Sequence, residues 1–312
     1  MEYKIFRLTF SSGVHFGEDS LEDNDIQLHA DTIFSALCIE ALKTGGETRL
    51  NELVSYVQAD KLLISDAFPY MIDEYYLPKP MIRVNFCCND DSANKKLFKK
   101  LKYIPSDMVG DYISGKFSMD TVNCIINNLN NKLGKSSIVA RAAIRTLDDT
   151  LPYHVGTFTF SKDTGLYIIT GCDDSEAFDL LNELLRCLAH TGVGGKRSSG
   201  LGRFSVDKPI PADIKALSAD DYPAYMTLSV SLPSVDEIEI ILKNAAYSLI
   251  RRSGFVFSET YSDEPLKKND LYVLDSGSVV GCRFKGGVYD VSNSGAHPVY
   301  RYAKPLFLGV AL

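Results

Sequence analysis

Twelve residues concentrate the chain's chemistry. Gly192-Val193-Gly194-Gly195-Lys196-Arg197-Ser198-Ser199-Gly200-Leu201-Gly202-Arg203 places five glycines in its first eleven positions, around two adjacent cations and two hydroxyls. Glycines bring backbone N–H groups close to a ligand, and Lys196, Arg197, Ser198 and Ser199 add charge and donors, so the segment suits phosphate. A turn-rich loop with no ligand is the other reading of Gly192, Gly194, Gly195, Gly200 and Gly202. A Walker A loop is excluded, because Gly195-Lys196 is followed by Arg197 rather than Ser or Thr. A dinucleotide fingerprint is excluded too, because Arg197 stands where the third glycine would fall.

The other candidate groups point the same way. Arg251 with Arg252 and Lys267 with Lys268 form a second basic set, and Lys135 to Arg145, including Arg141 and Arg145, forms a third. In His297-Pro298-Val299-Tyr300-Arg301-Tyr302 aromatics stand beside cations, a combination suited to stacking bases; a half-buried strand is the equal alternative for Tyr300 and Tyr302. Residues 95–102 carry five lysines around Leu97, Phe98 and Leu101, either a basic amphipathic segment or a solvated helix face. Five histidines, at 15, 29, 154, 190 and 297, form no H-x-x-x-H pair, and seven cysteines form no C-x-x-C pair. Neither a metal nor any other cofactor is expected. His15, just past the first strand, is a candidate RNA contact; a metal-free RNA-cleaving acid or base and a packing role are its alternatives.

Composition constrains these readings. The net charge is -7 over 312 residues, which disfavours a free-standing nucleic-acid binder unless charge is segregated or basic partners complete the site. No apolar run approaches the roughly 20 residues of a membrane span, and the first residues lack a signal peptide's basic head and apolar middle, so a cytoplasmic location is expected.

The elements that must position these groups follow from periodicity. Residues 3–10 alternate as a strand. A helix starts at Asp31, a good N-cap, and stops at Lys43-Thr44-Gly45-Gly46. Residues 61–68 form a strand, 153–170 a hairpin with Gly165 in its turn, 175–190 a leucine-rich amphipathic helix, and 201–206 a further strand. This order is the β-α-β-β-α-β signature of a ferredoxin-like unit, with an insertion at about 80–150. Residues 207–223, with Pro209, Pro211 and Pro223, read as a linker. A second, smaller ferredoxin-like unit is expected over 224–312, with strands at 224–231, 254–258, 271–274, 278–284 and 305–311 and a helix over 234–249. The fold class is therefore α+β, two ferredoxin-like (RRM-like) domains, 1–206 and 224–312.

Several segments together carry a family resemblance. They are Val14-His15-Phe16-Gly17, the run from His29-Ala30-Asp31-Thr32 to Leu37, Leu97 to Leu101, Gly165-Leu166-Tyr167, the glycine loop, Arg252-Ser253-Gly254-Phe255-Val256, Pro265 to Lys268, Gly277-Ser278 and His297 to Tyr302. In this order they resemble the fourth Csm subunit of type III-A CRISPR effector complexes, within the RAMP superfamily. The resemblance implies a non-catalytic subunit that grips the 5′ handle of the guide RNA (crRNA). It implies a β-hairpin thumb within the insertion, around 133–155, and the large polymerase-like Csm subunit and an adjacent backbone subunit as neighbours. A guide-processing endoribonuclease of the same superfamily, using His15, is the rival; a scaffold touching only protein is a third possibility.

Overall fold

The computed structural model describes residues 1–17, 20–84, 92–144, 150–218, 221–258 and 260–311. The alternating residues near the start become β1 (Glu2–Phe10), and the apolar-periodic run after them becomes α1 (Ala30–Gln58). Gly46, at φ 65°, breaks α1 at the expected stop signal, and a second helical stretch, not anticipated from the apolar spacing, continues to Gln58. The strand expected over 61–68 divides into β2 (Leu62–Ile64) and β3 (Phe68–Met71), followed by β4 (Glu74–Pro78). The insertion contributes α2 (Ser92–Lys100), β5 (Tyr103–Pro105), α3 (Val109–Ile113) and α4 (Met119–Lys132). It ends in the strands β6 (Gly134–Ile144) and β7 (Thr150–Phe160). Then come β8 (Thr164–Cys172), α5 (Ser175–Thr191) and β9 (Phe204–Val206).

The main sheet is antiparallel. Its order is β10-β1-β8-β3-β4-β5, where β10 is Ile210–Pro211, with β2 also on β8 and β9 also on β1. All of β8 is buried, as befits a strand with neighbours on both edges. Its ladders go to β1 on one side and to β2 and β3 on the other. This corrects the hairpin expected over 153–170: β7 pairs with β6 along its whole length instead. Local alternation identified both strands, but partners are chosen by burial, and β8 is the strand the core needs at its centre. The stretch taken for a linker is also structured: Ile210 and Pro211 pair with Ile5 and Lys4, and α6 (Lys215–Ser218) follows.

Asp174 caps α5, accepting from the Glu176 and Ala177 amides, and Leu180, Leu181, Leu184, Leu185 and Leu188 form its buried face. Arg49 and Glu183 pair between α1 and α5, and Phe178 of α5 meets Phe6 of β1 at 5.7 Å between centroids.

Beyond residue 223 the elements are short. They are β11 (Ala224–Thr227), α7 (Val235–Leu242), β12 (Leu249–Arg252), β13 (Leu271–Leu274) and β14 (Val279–Val280), then β15 (Gly287–Asp290), β16 (Tyr300–Ala303) and β17 (Phe307–Val310). They form a three-stranded sheet β14-β11-β17 and the pairs β12-β13 and β15-β16. A Ser234–Glu237 capping box starts α7, but the helix expected to reach 249 stops at Leu242. Ala246 bridges to Val279 and Leu249 ladders with Leu274, so tertiary pairing overrides the apolar run. One apolar cluster joins both halves: Phe6, Phe34, Leu37 and Ile168 share it with Met226, Leu228, Tyr302 and Leu308.

Tyr302 requires a correction. It is fully buried, its ring lies 5.6 Å from Phe34, and its hydroxyl accepts the Ile64 amide, so it is a core residue and offers no face to a base.

Candidate functional site

A cleft of about 820 Å³ opens between the halves. His15, Gly194, Gly195 and Arg197 line one wall, the start of α1 forms the floor, and Arg251, Arg252, Lys267 and Lys268 line the other wall. Two basic sets about 60 residues apart in sequence thus face one space, which is the charge segregation that the acidic whole chain requires.

The glycine loop is built by its own backbone. Gly192 ends α5 at φ 82°, and its amide donates to Leu188. Val193 and Gly202 close the neck through a 3.0 Å bond, Gly202 donates to Gly13, and Gly195 donates to the His15 carbonyl. Lys196 adopts φ 57°, and a 3-10 turn over Arg197–Ser199 ends at Gly200. Four of the five glycine N–H groups are therefore donated within the protein: Gly192, Gly195, Gly200 and Gly202. The expectation of a backbone cradle is corrected accordingly. The glycines shape the loop, and the side chains of Lys196, Arg197, Ser198 and Ser199 carry its charge and hydroxyls.

Those side chains divide between two faces. Arg197 faces the cleft, with its guanidinium 4.9 Å from the Phe257 ring centre. Lys196 turns toward the β6–β7 hairpin and sits 4.6 Å over Tyr153, whose cross-strand partner is Arg141. Arg141 has a buried Nε with no hydrogen-bond partner. Ser198 and Ser199 are exposed on the outer turn. Arg145 lies outside the described residues. His15 is buried, and its Nδ1 is 2.8 Å from the Gly156 carbonyl of β7, so it ties the loop to the hairpin base.

The floor is an ion-pair network absent from the sequence reading. Asp31 does not cap α1; His29 holds that position, and the Asp66 carboxylate reaches from another segment to accept the Ala30 amide. This frees Asp31 for a bidentate pair with Arg252 at 3.0 Å and a bond from Arg301 at 2.9 Å. Asp31 and Arg301 are each only 5% exposed. Burial opposes the Asp31 charge, but Arg252 and Arg301 outweigh it and hold the carboxyl down at about 2. Two guanidiniums thus share the Asp31 carboxylate, with Lys268 close enough to interact with both. Burial, together with Arg301 and Arg252, lowers the Lys268 pKa. The resembling segments at 29–32, 252–256 and 297–302 meet at this network.

Beneath it, His29 Nδ1 bonds Asp66 at 2.8 Å, and Asp66 also accepts the Val230 amide. Asp275 completes a group whose ligand atoms lie within 4.8 Å of one another. Within this group both Asp66 oxygens accept protein donors. Burial pushes the Asp275 carboxyl up to about 6, with His29 opposing and Asp66 reinforcing. An unfolded Asp titrates near 3.9, so the contribution of Asp275 to stability is full below that value and is lost as pH rises through about 6. Asp275→Asn is therefore expected to stabilise the protein by roughly 1–3 kcal/mol at pH 7.5 and by little at pH 4. Urea unfolding at both pH values checks this, and an equal effect at both would contradict it.

Phe255 and Phe257 were missed as site residues. Their segment reads as a strand, but Phe255 makes only an isolated bridge to Lys267, and both rings line the cleft. The available signal was their placement between Arg252 and Lys267.

Comparison with known proteins agrees with this architecture. A family model for the CRISPR Csm4 C-terminal domain matches residues 220–310. The CRISPR system Cms protein Csm4 of Mycobacterium tuberculosis (strain CDC 1551 / Oshkosh) is 39% identical over 99% of this chain and 98% of its own length. A chain in the crystal structure of a Csm3–Csm4 subcomplex of the type III-A CRISPR-Cas interference complex superposes with a TM-score of 0.69, at 18% identity, over 99% of this chain and 100% of that one. A chain in a Csm1–Csm4 cassette in complex with pppApA gives 0.64, at 20% identity, over 100% and 99%. At 39% identity over nearly its whole length, the chain is a CRISPR Csm-type protein. The chain belongs to the CRISPR Csm4 family. No helix among the described residues is long and apolar enough to cross a membrane.

Proposed function

We propose that this chain is a non-catalytic, cytoplasmic subunit that holds the 5′ handle of crRNA and joins a Csm1-type large polymerase-like subunit to Csm3-type backbone subunits. The observation that carries the reading is the cleft. It brings Arg197, Arg251, Arg252, Lys267 and Lys268 to one channel in a chain that is acidic overall. Single-stranded RNA suits such a channel, because phosphates answer the cations and unpaired bases answer the aromatic rings. The matched Csm3–Csm4 and Csm1–Csm4 structures support the two protein neighbours. The position of His15, packed between loop and hairpin, supports a non-catalytic role.

We read the first part as ferredoxin-like: along β9-β1-β8-β2, the fourth, first, third and second strands of a β-α-β-β-α-β unit lie side by side. The second part is read as a smaller RRM-like unit. The β6–β7 hairpin is the thumb, with Ile138 and Val139 exposed and Arg141 and Tyr153 at the level of the glycine loop.

The double substitution Lys196→Ala with Arg197→Ala is expected to lower crRNA content in the purified complex and to reduce the salt slope of handle binding by about 1–2. Unchanged crRNA content would overturn the loop assignment.

A further inference from the structure

We propose that Phe255 and Phe257 form a base-stacking platform at the mouth of the cleft, taking two adjacent unpaired nucleobases of a single-stranded RNA. The inference rests on the handle-binding reading and deepens it.

The local backbone sets the geometry. Lys268 donates to the Gly254 carbonyl and Val256 to the Leu266 carbonyl, and these two bonds flank the isolated Phe255–Lys267 bridge. Side chains then alternate. Val256 packs into a small apolar cluster with Tyr261, Val291 and Val299, whereas Phe255 and Phe257 both line the cleft. In extended chain the backbone repeats about every 6.6 Å over two residues, a spacing that stretched, unstacked nucleotides can follow.

Their exposure is the second observation. Phe255 is 58% and Phe257 68% exposed, whereas Val256 between them is half-buried. Each ring has a cation beside it: Lys267 Nζ is 5.6 Å from the Phe255 centre, and the Arg197 guanidinium is 4.9 Å from that of Phe257. A ring with a cation near one face and solvent on the other is prepared for a base on the open face, with the cation free to meet the adjoining phosphate. Arg197, Arg251, Lys267 and Lys268 line the same cleft beside an apolar set that includes Ile39 and Ile250, and this density of cations favours a polyanion over an apolar protein surface.

The test uses complexes assembled with the full chain and guides carrying 2-aminopurine at successive handle positions. In the wild-type complex, fluorescence is expected to be quenched at one or two adjacent positions. It should recover in Phe257→Ala and Phe255→Ala but not in Phe257→Tyr, which keeps the ring. Each alanine should weaken binding of a handle RNA about ten-fold. Absence of recovery at every position in the double alanine variant would overturn the platform. If Lys196→Ala with Arg197→Ala still sheds crRNA, the handle reading survives that result; if it does not, both fall. Loss of a partner subunit from the alanine variants without a fluorescence change would assign the rings to a protein contact and also overturn the platform.

Discussion

Asp31→Ala is expected to destabilise the protein by about 3–5 kcal/mol, the typical cost of removing one partner from a buried ion pair. Asp31 is almost without solvent and answers two guanidiniums, Arg252 and Arg301. Removing it leaves two cations facing each other at the cleft floor. Arg301 has little recourse, because its Nε already lacks a partner and its remaining bond goes to the Ser253 carbonyl. The dependence on acidity has a definite sign. The folded carboxyl titrates at about 2, below its unfolded value, so its stabilisation is complete above pH 4 and disappears only as pH falls toward 2. The difference between wild type and variant should therefore be constant from pH 5 to 8 and should shrink below pH 4. Chemical denaturation across that range checks it, and a loss under 1 kcal/mol at pH 7 would show that water or neighbouring acids replace the carboxylate. Asp31→Ala with Arg301→Met should recover part of the loss, because the second change removes a charge left unpaired by the first.

Gly202→Ala is expected to disrupt the glycine loop, at a cost of about 2–4 kcal/mol from a left-handed backbone and a clash together. Gly202 has φ 76°, and a Cβ there would overlap the Val193 carbonyl oxygen, a backbone atom at the neck of the loop. The neck cannot yield without losing the Val193–Gly202 bond that sets its width. Gly200→Ala is the matched control. It has φ 85° but open space around its Cβ position, so only the backbone penalty of about 1 kcal/mol applies. Thermal unfolding of both variants, with crRNA content of their complexes, separates loop shape from loop charge. Equal effects at the two glycines would contradict the neck.

The legible parts of the fold were those encoded locally. The leucines of α5 repeat at helical spacing, β1 alternates, and Gly45-Gly46 stops the first helix, so each could be read from neighbours in sequence. The illegible parts depend on partners far away. Nothing near Thr150 indicates that β7 will pair with β6 rather than β8. Asp31 looks like a cap until Asp66 takes the capping duty. Tyr302 has the composition of a binding aromatic and the surroundings of a core residue. For the site, charge was legible and exposure was not. Arg197 of the glycine loop and the cations at 251–252 and 267–268 line one cleft, a convergence that their separate positions in sequence did not announce, and the phenylalanines among them were hidden in an apparent strand.

The cleft floor also governs when the site comes into being. Asp31 is 221 residues from Arg252 and 270 from Arg301, and the shared core spans the same distance. Contacts of such separation close late, after the local helices and the β6–β7 hairpin can form. A nascent or half-folded chain thus displays scattered basic residues on an acidic polymer but no channel. On the proposed handle-binding reading, the RNA site is therefore complete only once both halves have folded together.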